Sequence, residues 1–167
     1  MAIITFQGKA IHTCGELPAV GSKAPDFKLT NRKMQDVNLK HFAGKRKLLH
    51  IVPSLDTPTC QTSTRKFNEK AAQLDNTVVL VISADLPFAQ ARFCETDGIK
   101  HLTALSTFRS SFGRDYGVEL LDSLLAGLTA RAILVLDGDD RVIYSQLVTE
   151  IADEPDYLAA LAVLSID

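Results

Sequence analysis

The chain has 167 residues, 46% hydrophobic and 23% charged, with a formal net charge of -2. That balance supports a buried core in one domain, expected to span 1–167, and argues against a disordered chain. It offers no basic surplus for a nucleic-acid partner. The one basic cluster, Lys45-Arg46-Lys47, reads as a solvated turn ahead of a strand. No apolar run reaches the ~20 residues of a membrane span. The opening residues lack the basic start of a signal peptide, so a cytoplasmic location with no membrane partner is expected. The three cysteines, Cys14, Cys60 and Cys94, are too few for a disulfide scaffold.

In chain order, Ile3 to Phe6 and Ala10 to His12 flank a Gln-Gly-Lys turn and predict an N-terminal β-hairpin. A loop with Gly15, Pro18, Gly21 and Pro25 follows. Leu48 to Val52 is a short apolar run stopped by Pro53, and Thr77 to Ser83 is a second, β-branched run. Both read as buried strands. Between them, Cys60, Thr64, Phe67, Ala71 and Leu74 recur at helical spacing and share one face. Strand, helix, strand is the right-handed parallel unit. A second helix is predicted from about Leu86 to Asp97, with Gly98 at its end. Ala130 to Leu136 and Val142 to Leu147 flank Asp137-Gly138-Asp139-Asp140, a hairpin signal, and Pro155 to Leu164 reads as a closing helix. The set predicts an α/β thioredoxin-like fold: a central mixed β-sheet flanked by helices.

The stretch that carries chemistry is Pro53-Ser54-Leu55-Asp56-Thr57-Pro58-Thr59-Cys60, between a buried strand and a helix. Pro58 suits the first helical position, where its missing N–H costs nothing. Thr57 then falls at the N-cap, and an N-cap oxygen accepts from the second or third residue's N–H. The Thr57 hydroxyl and Cys60 thiol are therefore expected close together. The helix dipole stabilises an anion there by about 0.3–1 kcal/mol, less than one pKa unit. Full activation of a thiolate nucleophile needs a cation as well. Arg65 and Arg131 are the candidates. Arg65 lies about 140° around the helix from Cys60 and should face away. Arg131 begins an apolar strand, where a charge needs a partner, but spacing does not say which.

Each residue also has a plainer reading. A lone cysteine is commonly a core residue, and Cys94 sits on an apolar helix face. Thr57 is explained as a cap, and Arg131 as half of an ion pair. Cys14, in a loop beside Gly15, reads as incidental. Phe88, Phe93, Phe108 and Phe112 read as core before they read as a substrate pocket. The cysteines and histidines lack zinc-ligand spacing, and no Cys-x-x-Cys is present.

Pro53, Thr57 and Cys60 match the Pro-x-x-x-Thr-x-x-Cys signature of the peroxiredoxins, and the longer string through Arg65-Lys66-Phe67-Asn68 resembles their bacterial thiol peroxidase subgroup. Ser83 to Gln90, Arg92-Phe93-Cys94, Leu105 to Arg109 and Glu154 to Tyr157 resemble it as well. The resemblance spans nearly the whole chain. It implies a thiol-dependent peroxidase for hydrogen peroxide and organic hydroperoxides. Cys60 would be the peroxidatic cysteine and Cys94 the resolving one, joined in a Cys60–Cys94 disulfide. Thr57 would bind peroxide and thiolate, Pro53 would shield the pocket, and Arg131 would be the cation. It implies a homodimer recycled by thioredoxin, with no cofactor required. Two alternatives are a peroxide sensor or redox relay using the same Cys60 chemistry, and a non-catalytic module on the same scaffold.

Overall fold

Ile3–Phe6 (β1) and Lys9–His12 (β2) pair antiparallel around Gln7 and Gly8, whose φ values of 53° and 78° make the tight primed turn of a two-residue hairpin. This hairpin is as the sequence predicts. In the computed structural model, which describes residues 1–165, it packs Ile4 and Ile11 on Leu120, Ala130 and Ile151. The expected domain, 1–167, includes residues 166 and 167, which lie outside the described residues.

The central sheet has seven strands in the order β4-β3-β7-β6-β5-β8-β9. Leu29–Thr30 (β3), Asp36–Val37 (β4) and Thr103–Ser106 (β7) join Arg46–Ile51 (β5), Thr77–Ser83 (β6), Ala132–Leu136 (β8) and Val142–Leu147 (β9). β5, β6 and β7 run parallel, and β8 pairs antiparallel with both β5 and β9. Pro58–Ala71 (α1) and Pro87–Thr96 (α2) connect the parallel strands. Right-handed crossovers in one direction put both on the same face. Phe112–Asp115 (α3) follows β7, and Tyr157–Ser165 (α4) closes the chain. α4 starts after Asp156, whose carboxylate accepts from the Ala159 N–H at 3.0 Å. Gly98 sits just past α2 with φ 65°, the left-handed position that ends a helix.

Both faces of the sheet are covered, so β6 and β8 are almost wholly apolar, while β5 also buries Lys47 and His50. Leu48, Val79, Ile133 and Val135 pack under Phe67 of α1 and Ala160 and Leu164 of α4. Leu49, Ile51, Leu80, Ile82 and Leu134 face Phe27, Leu39, Phe112 and Tyr116 on the other side. This is the expected thioredoxin-like layering.

The basic cluster is a correction. β5 begins at Arg46, so only Lys45 is an exposed turn residue. Lys47 is fully buried and donates to Asp140 of the β8–β9 turn, while Arg46 donates to the carbonyls of Asp75 and Leu164. The long aliphatic stem reaches across the strand before the ammonium finds its carboxylate. The described helices include none long and apolar enough to cross a membrane.

Candidate active site

The loop from Pro53 to Thr57 is held at its base. Val52 N–H donates to Ile82 at 2.9 Å, and buried Pro53, without an N–H, ends the ladder. Asp85, just past β6, gathers the loop: its carboxylate accepts from Ser54 Oγ, Leu55 N and Ser83 Oγ, each at 2.7 Å. Thr57 takes the N-cap backbone conformation (φ −109°, ψ 149°) with Pro58 in the first turn, as expected. Its side chain does not cap. The hydroxyl donates to the Ser54 carbonyl at 3.1 Å instead of accepting from the first turn. The turn back to Ser54 directs the hydroxyl's hydrogen away from the helix, so the first-turn N–H groups keep the openness inherent in a helix start. The expected side-chain cap from Thr57 is thereby corrected.

Cys60 is the third helical residue and is fully buried. Arg131, only 2% exposed, donates from Nη1 to Cys60 Sγ at 3.1 Å and from Nε to the Ile151 carbonyl at 2.8 Å. Thr129 ties this segment to the end of β5, its hydroxyl donating to Val52 at 2.9 Å. Arg65 points elsewhere, bonding Asp97 with Nε at 3.0 Å and Nη2 at 2.7 Å. Thr59 fastens the first turn of α1 to the Ala152 carbonyl at 2.8 Å. The guanidinium thus lies directly against the sulfur in a site closed to solvent.

Cys94 lies on the buried face of α2, in the apolar cluster that also holds Cys60, Val52, Leu55 and Val81. Both thiols are free. Burial pushes the Cys94 thiol above its ordinary value, and a hydrogen bond from Arg32 pulls the other way. A cleft of about 410 Å³ opens between the Cys60 loop and α2, lined by Leu55, Asp56, Gln61, Arg92 and Phe93 among others. Of the four phenylalanines read as core, Phe112 is fully buried and Phe93 packs beside Cys94, but Phe88 and Phe108 are 66% and 40% exposed. Cys14 is half-buried, its thiol donating to the Gly113 carbonyl at 3.5 Å, outside the cluster that holds Cys60 and Cys94.

Two residues near the site escape the sequence reading. The sequence offers Asp85 only as an alternative to Leu86 for the start of the second helix, and Leu86 is its N-cap. His50 carries a faint signal, a polar residue inside the apolar run from Leu48 to Val52. It is fully buried in β5, its ring 4.8 Å from that of Phe67.

A buried cysteine opening a helix on this sheet, with an arginine on its sulfur, defines a thiol-based redox protein, and the chain belongs to the redoxin family, whose model matches residues 19–161. It is 54% identical over 164 residues to a thiol peroxidase of Mycobacterium bovis, covering 98% of this chain and 99% of that one. It is 52% identical over 165 residues to a thiol peroxidase of Corynebacterium glutamicum, covering 99% of this chain and all of that one. Among solved structures, a peroxiredoxin-like protein from Aquifex aeolicus superposes with a TM-score of 0.94 at 36% identity, over 99% of this chain and 96% of that one. Within the family these relatives mark a peroxiredoxin-type peroxidase of the bacterial thiol peroxidase kind.

Proposed function

We propose that Cys60 is the peroxidatic thiol, that Cys94 resolves it, and that thioredoxin restores the enzyme. The observation that carries this reading is the Arg131 guanidinium on the Cys60 sulfur at 3.1 Å, buried at the third residue of a helix. The Cys60 thiolate attacks one peroxide oxygen. An S–O bond forms as the O–O bond breaks, and water or an alcohol leaves after taking a proton. The cysteine is oxidised to a sulfenic acid and the peroxide is reduced by two electrons. Arg131 and the open N–H groups of the first turn stabilise the charge that develops on the oxygens, joined by the Thr57 hydroxyl when its hydrogen turns from the Ser54 carbonyl to the bound peroxide. Pro53 keeps water from the sulfur. Leu55 and Phe93 give the adjoining cleft an apolar wall, which suits organic hydroperoxides as well as hydrogen peroxide.

In the second half-reaction the Cys94 thiol displaces the sulfenic oxygen, an S–S bond forms and water leaves. For this α2 must release Cys94 from its buried face. The dithiol of thioredoxin then reduces the disulfide by exchange. A homodimer is the proposed working state; exposed Leu86, Phe88 and Phe108 supply apolar surface that a second copy would cover.

The test is steady-state peroxide consumption by wild type, Cys60→Ser and Cys94→Ser with thioredoxin and its reductase. Cys60→Ser should be inactive, and Cys94→Ser should stall after one turnover. Full activity in Cys60→Ser would overturn the assignment of the nucleophile. Normal turnover by Cys94→Ser would replace it with a one-cysteine cycle.

A further inference from the structure

His50 is fully buried, and neither of its ring nitrogens has a hydrogen-bond partner among the described residues. An unmet buried polar group costs about 1–3 kcal/mol, so an aliphatic residue of similar size would serve packing better. The hydroxyl of Thr64, one turn past Cys60 on the same face of α1, is buried and unpartnered as well. Polar atoms left in so dry a layer need a reason.

Strand register supplies one. His50 stands opposite Ile133 in the antiparallel β5–β8 pair. Arg131 lies two residues before Ile133, on the same face, and so is the diagonal neighbour of His50. The imidazole therefore occupies the layer between the sheet and α1, beside Arg131, the residue just before β8, and Phe67 of α1. Cys60 continues that face of α1. Beyond Phe67 stands Tyr157 of α4, its ring 5.1 Å away and its hydroxyl donating to Glu154, which also pairs with Lys66. Arg131 commits Nε to Ile151 and one Nη1 hydrogen to Cys60. A guanidinium has five N–H donors, so others remain. Burial, and after it the nearby Arg131 charge, hold His50 down to about 3. It is thus a neutral ring with a lone pair to offer. A carboxylate in its place would compete with the thiolate for the cation; a neutral acceptor does not.

We propose that His50 is a positioning residue: no hydrogen bond joins the two side chains in this structure, and the neutral imidazole beside Arg131 becomes the acceptor for one of its uncommitted N–H groups as Nη1 engages the sulfur during the reaction with peroxide. The inference rests on the reading of Cys60 and Arg131 given above.

The experiment compares wild type with His50→Leu, His50→Asn and His50→Gln. Leucine removes the acceptor. Asparagine and glutamine return one near the Nδ1 and Nε2 positions. The readouts are the single-turnover rate constant with hydrogen peroxide, the pH profile of Cys60 alkylation, and the rate at which thioredoxin reduces the oxidised enzyme. His50→Leu should slow the peroxide step at least tenfold and move alkylation to higher pH, with the thioredoxin step unchanged. Asparagine or glutamine should recover most of the rate. The proposal is overturned if His50→Leu stays within twofold of wild type with an unmoved profile, or if both amide variants, folded by circular dichroism, show no recovery of rate. Should His50→Leu not fold, the amide variants decide alone: one near the wild-type rate supports the proposal, and two slow ones overturn it. A wild-type chain that fails to reduce peroxide would sink the underlying reading instead.

Discussion

Replacing Arg131 by methionine probes the cation at the proposed reacting sulfur. Methionine keeps much of the apolar stem and fills irregular space, so little packing is lost. What goes is the 3.1 Å contact to Cys60 Sγ and the 2.8 Å bond to the Ile151 carbonyl. A hydrogen bond to a charged group contributes about 1.5–3 kcal/mol. If the sulfur is charged when it reacts, that whole contribution is missing from the attack, and the rate constant falls by about ten- to 150-fold. Stability should fall by about 1–3 kcal/mol, because the buried Ile151 carbonyl is left without its partner. Rapid-mixing measurement of the first turnover with hydrogen peroxide gives the rate, and thermal unfolding gives the stability. Arg131→Lys should recover only part of the loss, since an ammonium cannot reach Cys60 and Ile151 with one fixed fork. A methionine variant that reacts within twofold of wild type would refute the role given to the guanidinium.

Three further outcomes are expected. Oxidation should strip hydrogen-exchange protection from Pro87–Thr96, because Cys94 must leave the buried face of α2 to reach Cys60; equal protection in the two redox states would show that α2 does not open. His50, held at about 3 against an ordinary 6.5, binds its proton more readily in the unfolded chain. Its contribution to stability is therefore complete above about pH 6.5 and declines as pH falls toward about 3, at about 1.4 kcal/mol per unit. Denaturant titrations across that window should show the slope flattened in His50→Leu, and an unchanged slope would contradict it. Phe67→Ala should destabilise the fold by about 3–5 kcal/mol, since that residue is 1% exposed and its ring meets His50 at a tilt and Tyr157 edge-on; a loss below 1 kcal/mol by denaturant titration would mean the layer under α1 collapses to fill the gap.

The parts of this molecule that were legible in its sequence are those governed by local rules. The run from Thr77 to Ser83 is β6 to the residue, because β-branched side chains under two covering layers leave no polar interruption. α1 begins at Pro58, where a proline fits only a helix start. β3 and β4, two residues each, are set by pairing with distant partners and leave no periodic trace. β7 likewise owes its form to β6 beside it. At the site, Cys60 was identifiable from its loop, but the choice of Arg131 over Arg65 depends on how β8 lies against β5, which spacing within α1 does not carry. Thr57 shows the opposite failure: the local rule assigned its hydroxyl to the helix, and the turn back to Ser54 took it instead. Lys47 looked solvated because its partner, Asp140, is ninety-three positions away.

The most direct test is intact mass after one equivalent of hydrogen peroxide. Wild type should lose two hydrogens per chain, with peptide mapping linking Cys60 to Cys94, and Cys94→Ser should gain one oxygen on Cys60. Oxidation that appears on Cys14, or that persists in Cys60→Ser at the wild-type rate, would contradict the account.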